Sequence, residues 1–160
     1  MPMMIQASPT PYGNFSTPTG DAALAKGDRR GASSKRILVA DDDASIRGCI
    51  AIVLTRKGFD VETAKDGEEA WTAICKTEID LVITDHEMPH LTGLNLIRKV
   101  RNASMDAPFI LISASLPGPE SMLIPLIQPG ALLSKPFAFG SLLKVVFSLL
   151  RQDPPRGVFS

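Results

Sequence analysis

The chain has 160 residues, 44% hydrophobic and 21% charged, which suits one soluble-type globular domain with a real core. Its 17 basic and 17 acidic residues cancel, so no general attraction to nucleic acid or an anionic membrane is expected, and any electrostatic function must come from local clusters. No apolar run reaches membrane-spanning length, and the opening "MPMMIQASPTPYGNF" lacks the regions of a signal peptide, so a reducing, cytoplasmic setting is expected.

Residues 1–34 are rich in Pro, Ser, Thr and Gly and nearly free of apolar clusters. Such a stretch buries too little surface to offset its ordering entropy, so a disordered leader is expected there. The tail, 152–160, is expected to be flexible. Between them, 35–151 reads as one domain with no fused output domain.

"RILVA" (36–40) opens that domain as a short apolar run without alternation, the pattern of a strand buried on both faces of a parallel sheet. A helix follows, with Asp43 as N-cap, a stripe of Ile46, Ile50, Val53 and Leu54, and Gly58 as its stop. "FDVETA" (59–64) alternates and belongs at a sheet edge. Asp66 can cap a second helix that buries Ala70 and Ile74. "IDLVIT" (79–84) is another buried strand, and Thr92 can cap a third helix burying Leu94, Ile97 and Val100. "APFILIS" (107–113) and "ALLS" (131–134) read as two more strands buried on both faces.

The fourth helix is irregular. Pro119 can start it, but Pro125 should end or kink it within two turns. The last helix carries a stripe of Leu142, Val145, Val146 and Leu149. Its apolar arc continues to Leu143 and Phe147, leaving Ser141, Lys144, Ser148 and Arg151 as a polar strip. Cys49 and Cys75 have no metal-ligand spacing and fall in helical stretches, so both are expected as buried, reduced thiols. Regular β-α alternation predicts an open, doubly wound parallel sheet with helices on both faces.

In such sheets ligands bind beyond the carboxyl ends of the strands. Asp41, Asp42 and Asp43 end the first strand, Asp85 the third and Ser113 the fourth, while Lys135 follows the fifth. Clustered carboxylates repel unless a cation joins them, and oxygen-only ligation suits Mg²⁺. A carboxylate there can act as nucleophile toward a phosphoryl group, with Ser113 and Lys135 neutralising oxygen charge.

"HEMPH" (86–90) matches the H-E-x-x-H pattern of zinc metallopeptidases, which needs both histidines on one helical face. Pro89 breaks a helix there and moves Met88 off helical dihedrals. The chain has only these two histidines. The zinc reading is rejected.

"ILVADDDASIR", "LVITDHEMPHLTGLNLIRKVR", "ILISAS" and "LSKPF" together resemble the receiver domain of two-component response regulators, here as a stand-alone, single-domain regulator. The resemblance implies a flavodoxin-like (βα)5 fold, strand order 2-1-3-4-5. It implies Asp85 as phosphoacceptor from a histidine kinase or phosphotransfer protein. It also implies Mg²⁺ held by Asp41, Asp42, Asp85 and the main-chain carbonyl of Glu87, with Ser113 and Lys135 as catalytic partners. The receiver would catalyse only its own phosphorylation and dephosphorylation, without acting as an enzyme on other substrates. Glu87 and Ser115 sit where neighbours of the phosphate set its lifetime, and His86 where water access can be tuned. The family's partner face maps to residues 119–150, for a downstream protein or a second copy, with Leu143 and Phe147 at its edge. Direct contact with nucleic acid or membrane is not implied.

Two departures stand out. Leu132 replaces the aromatic residue the family usually places three before the lysine, and prolines interrupt the fourth helix. They keep open a pseudo-receiver that binds partners without switching. A haloacid-dehalogenase-like phosphatase, with Asp41 as nucleophile and Asp43 as acid, is a distant alternative, because no acidic pair follows Lys135.

Overall fold

The computed structural model describes residues 34–151. The expected leader, apart from Ser34, and the tail at 152–160 lie outside the described residues. Five strands and five helices alternate: β1 (Arg36–Ala40), α1 (Ala44–Arg56), β2 (Asp60–Ala64), α2 (Gly67–Lys76), β3 (Leu81–Asp85), α3 (Gly93–Asn102), β4 (Phe109–Ser113), α4 (Glu120–Ile127), β5 (Gly130–Ser134) and α5 (Phe139–Leu150). The strands form one parallel sheet in the order β2-β1-β3-β4-β5.

The unbroken apolar runs follow from burial on both faces. Leu38, Val82, Phe109 and Leu111 face one layer, where α2, α3 and α4 contribute Ala70, Ile97 and Leu123 among others. Ile37, Val39, Ile83, Ile110 and Ile112 face the other, closed by Ile50 and Leu54 of α1 and Leu142 and Val146 of α5. Every residue of β3 and β4 is buried, so these two strands form a rigid centre.

The first three helices start where the sequence places their caps. The Asp43 carboxylate accepts from the amides of Ser45 and Ile46, that of Asp66 from Glu69, and the Thr92 hydroxyl from Asn95. Each satisfies amides that a helix start leaves without partners. Gly58, at φ +92°, turns the chain out of α1 through a left-handed conformation costly for any other residue. On the surface Lys99 lies 4.8 Å above the Trp71 ring and 3.7 Å from Glu68, tying α3 to α2. α4 and α5 begin at Pro119 and Ala138 with no side-chain cap.

Three expectations need correction. Strand order makes β5 an edge, so Gly130–Leu133 are only half-buried and Ser134 is exposed. Both cysteines are exposed, because Cys49 and Cys75 sit one residue from the core positions Ile50 and Ile74 and about 100° of helical turn carries them to solvent. Phe147 is not a surface edge of α5. It is 7% exposed and packs on Phe59, ring centres 5.7 Å apart, while Leu143 is half-buried against the same layer. The polar strip of Ser141, Lys144, Ser148 and Arg151 is exposed as expected.

Candidate functional site

The carboxyl ends of β1, β3, β4 and β5 converge on one edge of the sheet. Asp85 is the last residue of β3, and its neighbour's amide continues the ladder, His86 donating to Ile112 at 2.8 Å. Lys135 is held the same way, its amide donating to the Ser113 carbonyl at 2.9 Å. Asp41 follows β1, and its amide donates to the Ala64 carbonyl at 3.1 Å. The site residues are thus extensions of the sheet and share its rigidity.

Asp41, Asp42 and Asp85 each offer a carboxylate oxygen within 4.8 Å of the others. Asp41 and Asp85 are buried, at 2% and 3% exposure. Asp43 does not join them, since its carboxylate caps α1, and this leaves the phosphatase reading without its general acid. The ammonium of Lys135 lies 3.1 Å from Asp85 Oδ1 and 3.9 Å from Asp41 Oδ2. These are ion pairs without directed hydrogen bonds, for both oxygens are buried with no hydrogen-bond partner. Asp41 Oδ1 is satisfied by the Asp43 amide at 2.8 Å, and Arg47 donates to the Asp41 main-chain carbonyl at 2.6 Å.

Burial pushes the Asp41 carboxyl above its ordinary value, against the Asp43 hydrogen bond, and the Asp85 charge adds to the rise. For Lys135 burial pulls downward, but the adjoining Asp85, then Asp41 and Glu87, outweigh it and the net shift is upward. Two buried carboxylates that share one ammonium remain short of positive charge, which suits a divalent cation with oxygen ligands.

The turn after β3 settles the zinc motif. His86, Glu87, Met88 and Pro89 form no helix, and His90 adopts a left-handed conformation at φ 68°. The His86 carbonyl accepts from Met88 and Gly93 at 3.1 and 3.0 Å, while Met88 plugs the core. Gly93 closes this turn against the site: a Cβ there would collide with the Asp85 main-chain oxygen and come within 2.8 Å of Leu111 Cδ1. His86 is half-buried, with Nδ1 lacking a partner, and the Glu87 side chain is exposed.

Ser113 ends β4 and is buried. Its hydroxyl donates to the Ser115 carbonyl at 2.5 Å and accepts from the Ser115 amide at 3.2 Å. Leu132 is half-buried against the α3–α4 layer. Beside Lys135 opens an apolar pocket of about 550 Å³, lined by Ser45, Ile46, Cys49, Ala114, Lys135, Pro136, Phe137 and Phe139. Residue spacing does not indicate this pocket or the contact of Arg47 with the Asp41 carbonyl. Each depends on which distant main-chain groups or loops come together.

A model of the response regulator receiver domain matches residues 37–147. Response regulator MprA of Mycolicibacterium vanbaalenii is 37% identical over 122 residues, covering 75% of this chain and 52% of that protein, so the chain spans about half the length of the curated relatives it matches. Among solved structures, response regulator TrrA of Thermotoga maritima in complex with Mg²⁺–BeF is 34% identical, with a TM-score of 0.66 over 72% of this chain and 99% of that one. Chemotaxis response regulator CheY4 of Vibrio cholerae is 32% identical, with a TM-score of 0.66 over 74% and 100%. The chain belongs to the receiver domain family of two-component response regulators. It is a signalling domain, of a class that works by phosphorylation-dependent switching. Among the described residues, no helix is long and apolar enough to cross a membrane.

Proposed function

We propose that this receiver takes a phosphoryl group onto Asp85 from a phosphohistidine of a histidine kinase or phosphotransfer protein, in a reaction catalysed by the receiver itself. The observation that carries the reading is the pair of buried oxygens on Asp41 and Asp85 that lack hydrogen bonds and share the Lys135 ammonium. An Asp85 oxygen attacks phosphorus in line while the bond from phosphorus to the donor imidazole nitrogen breaks, and the electron pair leaves with that nitrogen. Asp41, Asp42, Asp85 and the Glu87 carbonyl would hold Mg²⁺, which supplies charge neutralisation for the phosphoryl oxygens. Lys135 adds a second positive charge. Ser113 exchanges its bond to Ser115 for one to a phosphoryl oxygen, which is how occupancy of Asp85 reaches the loop after β4.

The partner surface is the face of residues 119–150. Its apolar tip is Met122 and Ile124, 74% and 44% exposed, rather than Phe147. A downstream protein or a second copy of the chain would bind there.

The test is intact mass after incubation with Mg²⁺ and a small phosphodonor. The parent is expected to gain one phosphoryl group, Asp85→Asn to gain none, and chelation to abolish the gain. A folded parent that gains nothing overturns this reading and leaves an interaction module that does not switch.

A further inference from the structure

We infer that the apolar pocket beside Lys135 is a subsite for the organic group of a free phosphodonor, so that this receiver favours acyl phosphates with an aromatic or branched acyl group over acetyl phosphate. The inference rests on the phosphorylation reading and adds the class of small donor that the site selects.

The pocket, of about 550 Å³, shares Lys135 with the acid cluster. Lys135 is the one charged residue of its lining. Three chain segments build the rest. Helix α1 gives Ile46 and Cys49, the residue after Ser113 gives Ala114, and the start of α5 with the loop before it gives Phe139 and Phe137. Ile46 and Phe137 are half-buried and backed by the core layer of α1 and α5. Phe139 is 40% exposed, and its ring meets that of Phe137 edge-on with centres 6.1 Å apart. One wall is therefore a pair of rings set at right angles, an apolar surface left facing water.

Position and charge together name the occupant. Phosphoryl oxygens are drawn to the Lys135 ammonium, and the group that carries them there arrives next to this wall. A free carboxylate is disfavoured, because Asp41 and Asp85 already share that ammonium. A cationic group finds no acid in the lining. The acyl part of an acyl phosphate is uncharged, and its apolar body can cover the wall, whereas a methyl group covers little of it. The step balances without a proton. An Asp85 oxygen bonds to phosphorus, the bond from phosphorus to the acyl oxygen breaks, and its electron pair leaves on the carboxylate. The product carries a new negative charge beside the acid cluster, which favours its release.

Two measurements on the full chain test this. Initial phosphorylation rates at limiting donor, with Mg²⁺ and read by intact mass, should favour benzoyl over acetyl phosphate about tenfold in the parent. Cys49→Phe, which fills the pocket, and Phe139→Ala, which removes part of the ring wall, should each lower that ratio about fivefold. Both positions are exposed, so the fold tolerates the changes. The second measurement uses phenacylphosphonate, which has a methylene in place of the bridging oxygen of benzoyl phosphate and transfers nothing. With Mg²⁺ it should slow alkylation of Cys49 about threefold and leave that of Cys75 as it was, since Cys75 is exposed on α2 across the sheet. Acetonylphosphonate should protect neither thiol. A benzoyl-to-acetyl ratio equal in parent and variants, or a Cys49 left unprotected, overturns the inference, while transfer from acetyl phosphate still upholds the phosphorylation reading. No transfer from either donor overturns both. Protection of Cys49 that grows with protein concentration alone would make a second copy the occupant and overturn the inference.

Discussion

The first three helices and the fourth are built on opposite plans. α1, α2 and α3 each start at a capping side chain, and they pack on the sheet whose strand ends carry Asp41 and Asp85. α4 has eight residues, an internal proline, no side-chain cap and two buried side chains, Leu123 and Ile127. Cap by cap this is worth only ~1 kcal/mol each, but local opening depends on such small increments. The residues proposed for the chemistry thus lie on the firm side, and the proposed partner surface includes the soft one. α5 also lacks a cap, yet Phe147 locks it onto Phe59 at the mouth of β2, so it belongs with the firm side.

Phe147→Ala is the strongest way to break that division. Loss of a buried aromatic should cost about 3–4 kcal/mol in urea unfolding, whereas an α5 as loose as α4 would cost under about 1. Next comes the acid cluster, which the firm scaffold holds together against its own repulsion. Asp41→Asn should stabilise the metal-free protein by ~1–2 kcal/mol, by removing one of two buried charges that share a single ammonium, and weaken Mg²⁺ binding at least tenfold in a titration. The sign of the pH effect follows. The folded state holds a proton on Asp41 more readily than the unfolded chain does, so this group's penalty is complete above its raised value and relieved as pH falls through it. Metal-free parent should therefore gain melting temperature on mild acidification from neutral pH, and Asp41→Asn should lose most of that gain. The smallest effects concern the caps themselves. Asp66→Ala should lose ~1 kcal/mol, while Pro119→Ser should add about 0.5 by capping α4. If the serine leaves stability and hydrogen exchange of 120–124 unchanged, a missing cap is not what keeps α4 soft.

Much of this was legible in the sequence because it is written in short-range signals. Asp43, Asp66 and Thr92 cap helices at the positions their spacing indicates, and apolar runs mark the central strands. The site emerged because four strand ends meet in any sheet of this order. What failed depended on neighbours far along the chain. Phe147 is buried by Phe59, and β5 is exposed by lacking a strand beyond it. Cys49 and Cys75 were misplaced by trusting residue type over helical phase. The third carboxylate of "DDD" could equally cap a helix or join a metal, and only the hydrogen bonds of Asp43 decide for the cap.

The lysine lying over Trp71 has a practical consequence. This is the chain's single tryptophan, and it lies on α2 under the ammonium of Lys99 from α3. Its emission is an optical gauge of the α2–α3 packing and should report melting of the fold. The molecule thus carries its own fluorophore, beside which a dye placed at the exposed Met122 position can be read.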